Sequence, residues 1–500
     1  MRIDTSRRGF LRGALGATVV GVGGCRAFWG PQKVRLAAVG VMGKGFSDWF
    51  PMVKSGLAEL VAWCDADASQ REKALSHRQV KAVPGLAETL ARIPFYTDYR
   101  RLMDAAGALR LDAMTVSTPD HAHAAIAVSA MKQGIHVYVQ KPLVRTLWEL
   151  DYFRRTAREH GVITQMGNQG SATEDLRRGV EVLRSGVLGD VREVHVWTDR
   201  PVWPQGIWAK KAVVGKPAPI PSGLDWEAWV GVARMRDFRD KLPVGCPTFN
   251  PGNPRHRRSS GVYHPFNWRG YLDFGCGAFG DMACHTMNLP FRGLELGVCA
   301  KAECVRIEEK NDVAFPIRSI VRLTYPARQS KARPGVTLPK VTLCWYDGGF
   351  KPSADLMPDG KVPDTGCLVI GSKGTLCSSN SYGGGTVIAL GGEKALTDIR
   401  KHPACVGIAP TIPRCGAGDN DGHYTEFLRA IRGEGDVYAD TNSRCFSDVG
   451  FSIPIMEGIL CGIVAQQVPG ALGWDSSRQR FDTAAANALM RPFVREGWKF

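Results

Sequence analysis

The chain reads as α/β: an N-terminal doubly wound parallel sheet, then an α+β domain built on an open, mainly antiparallel sheet. Three observations predict this. From Val34, short apolar runs alternate with helical stretches, the pattern of successive β-α-β units. After about Asn168 the runs lengthen, alternate apolar with polar residues and have few helices between them, as antiparallel strands with one covered face do. Finally, 500 residues exceed one ordinary core, so two domains are expected.

The first thirty residues read as an address. In TSRRGFLRGALGATVVGVGG, Arg7 and Arg8 precede Phe10-Leu11 and a short, glycine-rich, weakly apolar run, which resembles a twin-arginine export signal. The run is too interrupted to span a membrane, and nothing after Gly30 reads as long enough to do so. Val22-Gly23-Gly24-Cys25 also resembles an imperfect lipobox, in which Cys25 would carry lipid; the plainer reading makes it an ordinary residue of a discarded peptide. Residues 1–30 are therefore assigned to export, with a periplasmic or lipid-anchored location expected.

Residues 31–167 form the first expected domain. VRLAAVG is a buried strand, and the segment Lys44 to Gly56 carries the first helix. ELVAWCD, LDAMTVSTPD, HVYVQKP and VITQMGNQG follow as strands, with HAHAAIAVSAMKQG as a helix among them. This order predicts a sheet covered on both faces. Residues 168–500 form the second domain, for substrate binding and oligomerisation. VREVHVWTDR, VCAKAECVRI, RSIVRLTYPA, KVTLCWY and CLVIGS are its strands, and HYTEFLRAIRG is a late amphipathic helix. The Pro- and Gly-rich connection from Pro201 to Pro265 is too long to be idle and is expected to wrap the rim of a site. Its open sheet face suggests a homo-oligomer.

Composition excludes little and bounds much. With 44% hydrophobic and 22% charged residues, the chain is globular. Its net charge of +16 is spread along the sequence, concentrated locally only at the N-terminus and at Arg255–Arg258, and no nucleic-acid motif accompanies it. An anionic ligand or surface is one reading of that charge, and a compositional bias toward arginine is the plainer one. Fourteen cysteines include no CxxC pair and no metal-ligand spacing. Disulfides are permitted outside the cytoplasm, but the sequence assigns none.

The chemistry gathers at strand ends. AAVGVMGKG places Gly40, Gly43 and Gly45 between the first strand and its helix, where glycines make the tight turn and let a backbone approach a pyrophosphate. Met42 stands where the fingerprint has its second glycine. Asp65 ends the second strand about twenty residues on, where a carboxylate binds ribose hydroxyls and repels a 2′-phosphate, so NAD is expected over NADP in a Rossmann-type domain. VSTPDHAHA brings Thr118, Pro119 and Asp120 to the same edge, under the nicotinamide half, and His121 is placed with them among the cofactor-binding residues. His121 and His123 also admit a metal reading, but two histidines without a third ligand are ordinary helix-start residues, and no metal is assigned. Gln140 and Lys141 follow the strand HVYV, and Pro142 fixes the lysine extended. Lys141 is either an acid–base group beside a cofactor or a structural lysine. In FGCGAFGDMACHTMNLPF, glycines 275, 277 and 280 precede Asp281 and His285, whose spacing of four puts both on one helix face.

YVQKPL, TQMGNQG, VHVWTDRPVWPQG, FNWRGYLDFGCGAFGDMACH and ANALMRPFVREGW together resemble the Gfo/Idh/MocA oxidoreductase family, in its exported branch. The resemblance runs from Val34 almost to the C-terminus. The family's Glu-Lys-Pro signature falls on Gln140-Lys141-Pro142, with the acid replaced by an amide, and its Asp-x-x-x-His pair falls on Asp281 and His285. Gln140 is placed with the cofactor-binding residues. The resemblance implies bound NAD and a sugar, polyol or glycoside held by Asp281, Asn168 or Arg200 and stacked on Trp203, Tyr263 or Trp268. It implies His285 as base with Lys141 as polarising donor, favoured over the reverse. Export with bound NAD implies a redox-neutral cycle: two successive substrates oxidised and reduced, or transient oxidation with elimination of a glycosidic substituent. The alternative from another class is a sugar-binding scaffold that retains the fold without turnover.

Overall fold

The computed structural model describes residues 33–246, 261–416 and 421–500. The export signal with Arg7, Arg8 and Cys25, and the basic run at Arg255–Arg258, fall outside the described residues.

Six strands make the first sheet: β1 (Val34–Val39), β2 (Ala58–Cys64), β3 (Phe95–Tyr96), β4 (Ala113–Val116), β5 (His136–Val139) and β6 (Thr164–Met166). Their order is β3-β2-β1-β4-β5-β6, with every pairing parallel. The chain reverses direction across the sheet between β1 and β4, and such a switch point is where doubly wound sheets hold dinucleotides. Helix α1 (Lys44–Lys54) follows β1, and α2 (Asp120–Met131) follows β4.

The second sheet has ten strands. In spatial order they are Thr397–Asp398, Thr386–Leu390, Gly374–Ser378, Gly366–Gly371, Val191–Trp197, Val341–Tyr346, Arg318–Tyr325, Lys301–Glu308, Ala471–Asp475 and Arg480–Phe481. Val191–Trp197 and Val341–Tyr346 pair parallel, while the other pairings are antiparallel. Along Val341–Tyr346 buried and half-buried residues alternate, so one face of the sheet meets the core.

Three more helices tie the sheets together: α3 (Gly277–Thr286), α4 (Asp421–Ile431) and α5 (Val449–Gln467). α4 comes from the far end of the sequence yet packs on α1, and its Tyr424, Phe427, Leu428 and Ile431 join Leu36, Trp49 and Tyr138 in one hydrophobic cluster. α5 packs on β6, on the helix Leu147–Glu159, on α3 and on three strands of the second sheet. Gly462 makes this possible, because a Cβ there would lie 2.2 Å from Phe279 Cε1. By length and mean hydropathy of 1.6, α5 could cross a membrane, contrary to the reading that no segment after Gly30 is long enough. Its apolar residues have another destination: 78% of its apolar window is buried in the protein. Within the Pro201–Pro265 connection, the stretch at Gly223–Asp225 folds back over the end of β2, with Ala68 N–H donating to the Gly223 carbonyl at 2.9 Å and Asp225 N–H to the Ala66 carbonyl at 2.8 Å.

Candidate active site where the two sheets meet

The glycine loop is built by close contact. A Cβ on Gly40 would lie 2.4 Å from the Ser117 carbonyl oxygen, and one on Gly45 would lie 1.9 Å from that of Gly40. β1, β4 and α1 therefore close on one another only through glycine. Gly43 differs: it has φ 64°, precedes the first turn of α1, and has nothing within 4 Å of where its Cβ would be. No side chain caps the helix start there, which leaves its orphan N–H groups available to a pyrophosphate. Met42 is half-buried against the α1 cluster. Asp65 accepts from Val41 N–H at 2.9 Å and from Asp67 N–H at 3.0 Å, which fastens the end of β2 to the glycine loop. Burial raises the Asp65 carboxyl above its ordinary value, and those backbone bonds oppose the rise. This corner fits a dinucleotide, with phosphates at Gly43 and ribose at Asp65.

Behind the expected nicotinamide position, the TPDH segment is braced rather than open. His121 is buried, its Nε2 lies 3.0 Å from the Trp229 carbonyl, and burial lowers its pKa to about 3. His123 sits between the carbonyls of Pro142 and Thr118, at 2.8 and 2.9 Å, and so joins the Lys141 turn to the tip of β4. Thr118 is half-buried beside Pro119, which precedes α2. Gln140 is buried, and its amide points at Asp48.

Lys141 crosses between the sheets. Its Nζ donates to the main-chain oxygen and to Oδ1 of Asp281, both at 2.8 Å. Arg269 Nε donates to the same Oδ1 at 3.2 Å. Burial alone would raise the Asp281 carboxyl, but Lys141 and Arg269 overcome it and hold the group well below the carboxylate range. His285, one turn along α3, is buried, and among the described residues its Nδ1 has no partner. Burial first, and the Lys141 cation second, keep its imidazole neutral. Asn168 reaches the same helix, donating to the Cys284 carbonyl at 3.4 Å while its Oδ1 stays unpartnered.

Other expected residues lie elsewhere in the packing. Trp203, Tyr263 and Trp268 keep 1%, 3% and 6% of their surfaces, so their faces are taken by protein. Trp203 and Trp268 instead form a floor under the Arg269 guanidinium, whose carbon lies 4.2 Å from the Trp268 ring centroid. Arg200 pairs with its neighbour Asp199; the guanidinium at Asp281 belongs to Arg269. Two residues at this site were not singled out from the sequence: Arg269, which lies in FNWRGY, and Tyr382, which sets its ring 4.8 Å from that of His285. Asp120, expected under the nicotinamide half, starts α2 and is buried. Burial raises Asp120 to about 7, against the pull of Arg269 and Lys141. Tyr382 comes from a loop almost a hundred residues beyond His285, which no local spacing announces.

Residues 34–168 match the family profile described as an oxidoreductase family with an NAD-binding Rossmann fold. The chain is 30% identical over 167 residues to glycosyl hydrolase family 109 protein 2 of Akkermansia muciniphila, which covers 32% of each chain. It is 29% identical over 85 residues to the 2,7-anhydro-N-acetylneuraminate hydratase of Mediterraneibacter gnavus, 17% of this chain and 23% of that one. The chain thus aligns with about a third or less of the length of these curated relatives. In fold it is similar to an inositol dehydrogenase homologue from Azotobacter vinelandii crystallised with NAD+, with a TM-score of 0.55 at 16% identity over 89% of this chain and 98% of that one. A second likeness, to the WlbA dehydrogenase of Bordetella pertussis in complex with NADH and UDP-GlcNAcA, has a TM-score of 0.54 at 14% identity over 89% and 99%. With the glycine loop, Asp65 and the six-stranded order in place, residues 34–168 form an NAD-binding Rossmann domain of the Gfo/Idh/MocA oxidoreductase type.

Proposed function

We propose that the protein is an NAD-dependent oxidoreductase acting on a CH–OH group of a sugar, polyol or glycoside, with NAD held tightly through a redox-neutral cycle. The observation that carries this reading is the Lys141–Asp281 contact at 2.8 Å, which joins the strand tip beside the dinucleotide corner to the helix that bears His285. When bound, NAD supplies a hydride acceptor and donor. The protein residues supply proton handling and orientation. Lys141 has two bonds to Asp281, which leaves one ammonium proton to polarise a substrate hydroxyl or carbonyl oxygen. His285 is neutral, so it can accept the hydroxyl proton as hydride leaves the carbon and the O–H electron pair closes the C=O bond. Asp281 keeps Lys141 in line and offers its second oxygen to a neighbouring hydroxyl. Names of the relatives that include a family 109 glycosyl hydrolase and an anhydro-sugar hydratase support sugar chemistry with a return of reducing equivalents.

Arg7-Arg8 and Cys25 support export to the periplasm, with a lipid anchor as the finer possibility, and cell fractionation tests both. The exposed side of the second sheet, where Val305 keeps 42% of its surface, supports a homo-oligomer that light scattering would count. Native mass spectrometry should find stoichiometric NAD on protein purified without added cofactor. A panel of glycosides and keto-sugars should then move the absorbance of the bound cofactor and return it. Protein that binds sugars while its cofactor never changes oxidation state would instead be a scaffold.

A further inference from the structure

Asp48, in the second turn of α1, has no exposed surface and belongs to no motif. Four side chains from four segments converge on its carboxylate. Ser117 Oγ, at the tip of β4, donates to Oδ2 at 2.7 Å. Gln140 Nε2, at the tip of β5, donates to Oδ1 at 3.0 Å and Oδ2 at 2.9 Å. Tyr424 Oη, from α4, donates to Oδ1 at 3.2 Å. The ammonium of Lys44, the first residue of α1, lies 3.0 Å from Oδ1 and also donates to Tyr424 Oη at 3.1 Å. Gly167 leaves the lane for the amide, since a Cβ there would lie 2.5 Å from Gln140 Nε2.

The arrangement has room for one carboxylate. Lys44 is the cation that compensates it, and the NH2 of Gln140 satisfies both of its oxygens. A carboxylate at position 140 as well would put two negative groups about 3 Å apart in a buried place, where both cannot stay ionised. We infer that Asp48 is a positioning residue, so that one buried network on its carboxylate fixes both Lys44 at the phosphate end of α1 and the peptide that carries Lys141. The amide at position 140 is then the complement of Asp48 rather than a lost function. This inference uses NAD binding alone and does not depend on the sugar reading.

The test is an exchange of the two groups in the full chain, read by NADH fluorescence titration and by thermal unfolding, with no sugar present. Gln140→Glu and Asp48→Asn should each weaken NADH binding by about ten-fold or more and lower the melting temperature, because each breaks a coupled pair. The double variant Asp48→Asn/Gln140→Glu restores one carboxylate facing one amide, and its affinity should return to within about three-fold of the parent. If either single variant fails to fold, a double variant that folds and binds NADH carries the same conclusion. The inference is overturned if Gln140→Glu matches the parent in both readouts, if the two single losses simply multiply in the double variant, or if the double variant does not fold.

Discussion

At the scale of single residues, the site is an arrangement of charges that would be untenable separately. Lys141 and Arg269 are both mostly buried, with side-chain exposures of 14% and 19%, and both lean on Asp281. Removing that carboxylate while keeping its shape leaves two buried cations unbalanced, so Asp281→Asn should cost about 3–5 kcal/mol in urea unfolding. The depressed Asp281 pKa gives the sign of its pH dependence: its stabilisation is complete above the ordinary carboxylate range and is lost only as pH falls toward its lowered folded value. Asp120 works the other way. Its carboxyl is raised to about 7 by burial, so its protonated form favours the fold, and that contribution declines as pH rises from about 4 through about 7. Asp120→Asn should therefore flatten the stability-versus-pH curve across this window, by at most about 4 kcal/mol. An unchanged slope in pH-resolved unfolding would refute the assignment. Lys141, Asp281 and His285 are legible in sequence because a strand end and a helical spacing of four point to them. Arg269 is not, because its role depends on the rings of Trp203, Phe266 and Trp268, which fold against it.

At the scale of elements, α1 and its loop show which glycines serve the fold and which serve the ligand. Gly45→Ala pushes a methyl into the Gly40 carbonyl, whose oxygen lies 1.9 Å from the new carbon's position. It should destabilise the protein outright, in the range of about 1–3 kcal/mol expected for overpacking. Gly43→Ala meets no atom but must hold φ 64°, which costs about 1–2 kcal/mol, and its methyl occupies the space in front of the helix N-terminus. The expected contrast is a lower melting temperature for Gly45→Ala in the apo protein, and for Gly43→Ala a loss of NADH affinity larger than its loss of stability. Five of the six strands of the first sheet are legible because buried parallel strands are short apolar runs between helical segments; β3, only two residues long and half-buried, has no such run. α5 is not legible in the same way. It is apolar around its whole circumference, so it has no 3.6-residue stripe to distinguish it from a run of buried strand.

At the scale of the molecule, residues 33–500 pack as one unit, and the two sheets share their cores. α4 lies more than 250 residues beyond β6, yet Phe427 and Leu428 have no exposed surface because the face of the first sheet that bears α1 closes over them. No local signal tells an amphipathic helix which distant sheet will receive its apolar stripe, so the sequence shows the helix and hides its destination. α5 adds a second tie, since it touches β6 on one side and the strands of the second sheet on the other. The NAD-binding domain should therefore not be independent. Leu428→Ala should cost about 2–5 kcal/mol, as for other buried leucines, and should weaken NADH binding although it touches no part of the dinucleotide corner. Residues 33–168 expressed alone would expose the surface that α4 covers, along with the β6 face that α5 covers. That fragment should melt without a sharp transition and fail to bind NADH, whereas residues 33–500 should unfold with coincident fluorescence and circular-dichroism transitions. A fragment that folds cooperatively and binds NADH would mean that α4 only rests on a finished domain; a fragment that does not would make the C-terminal helices part of the dinucleotide-binding core.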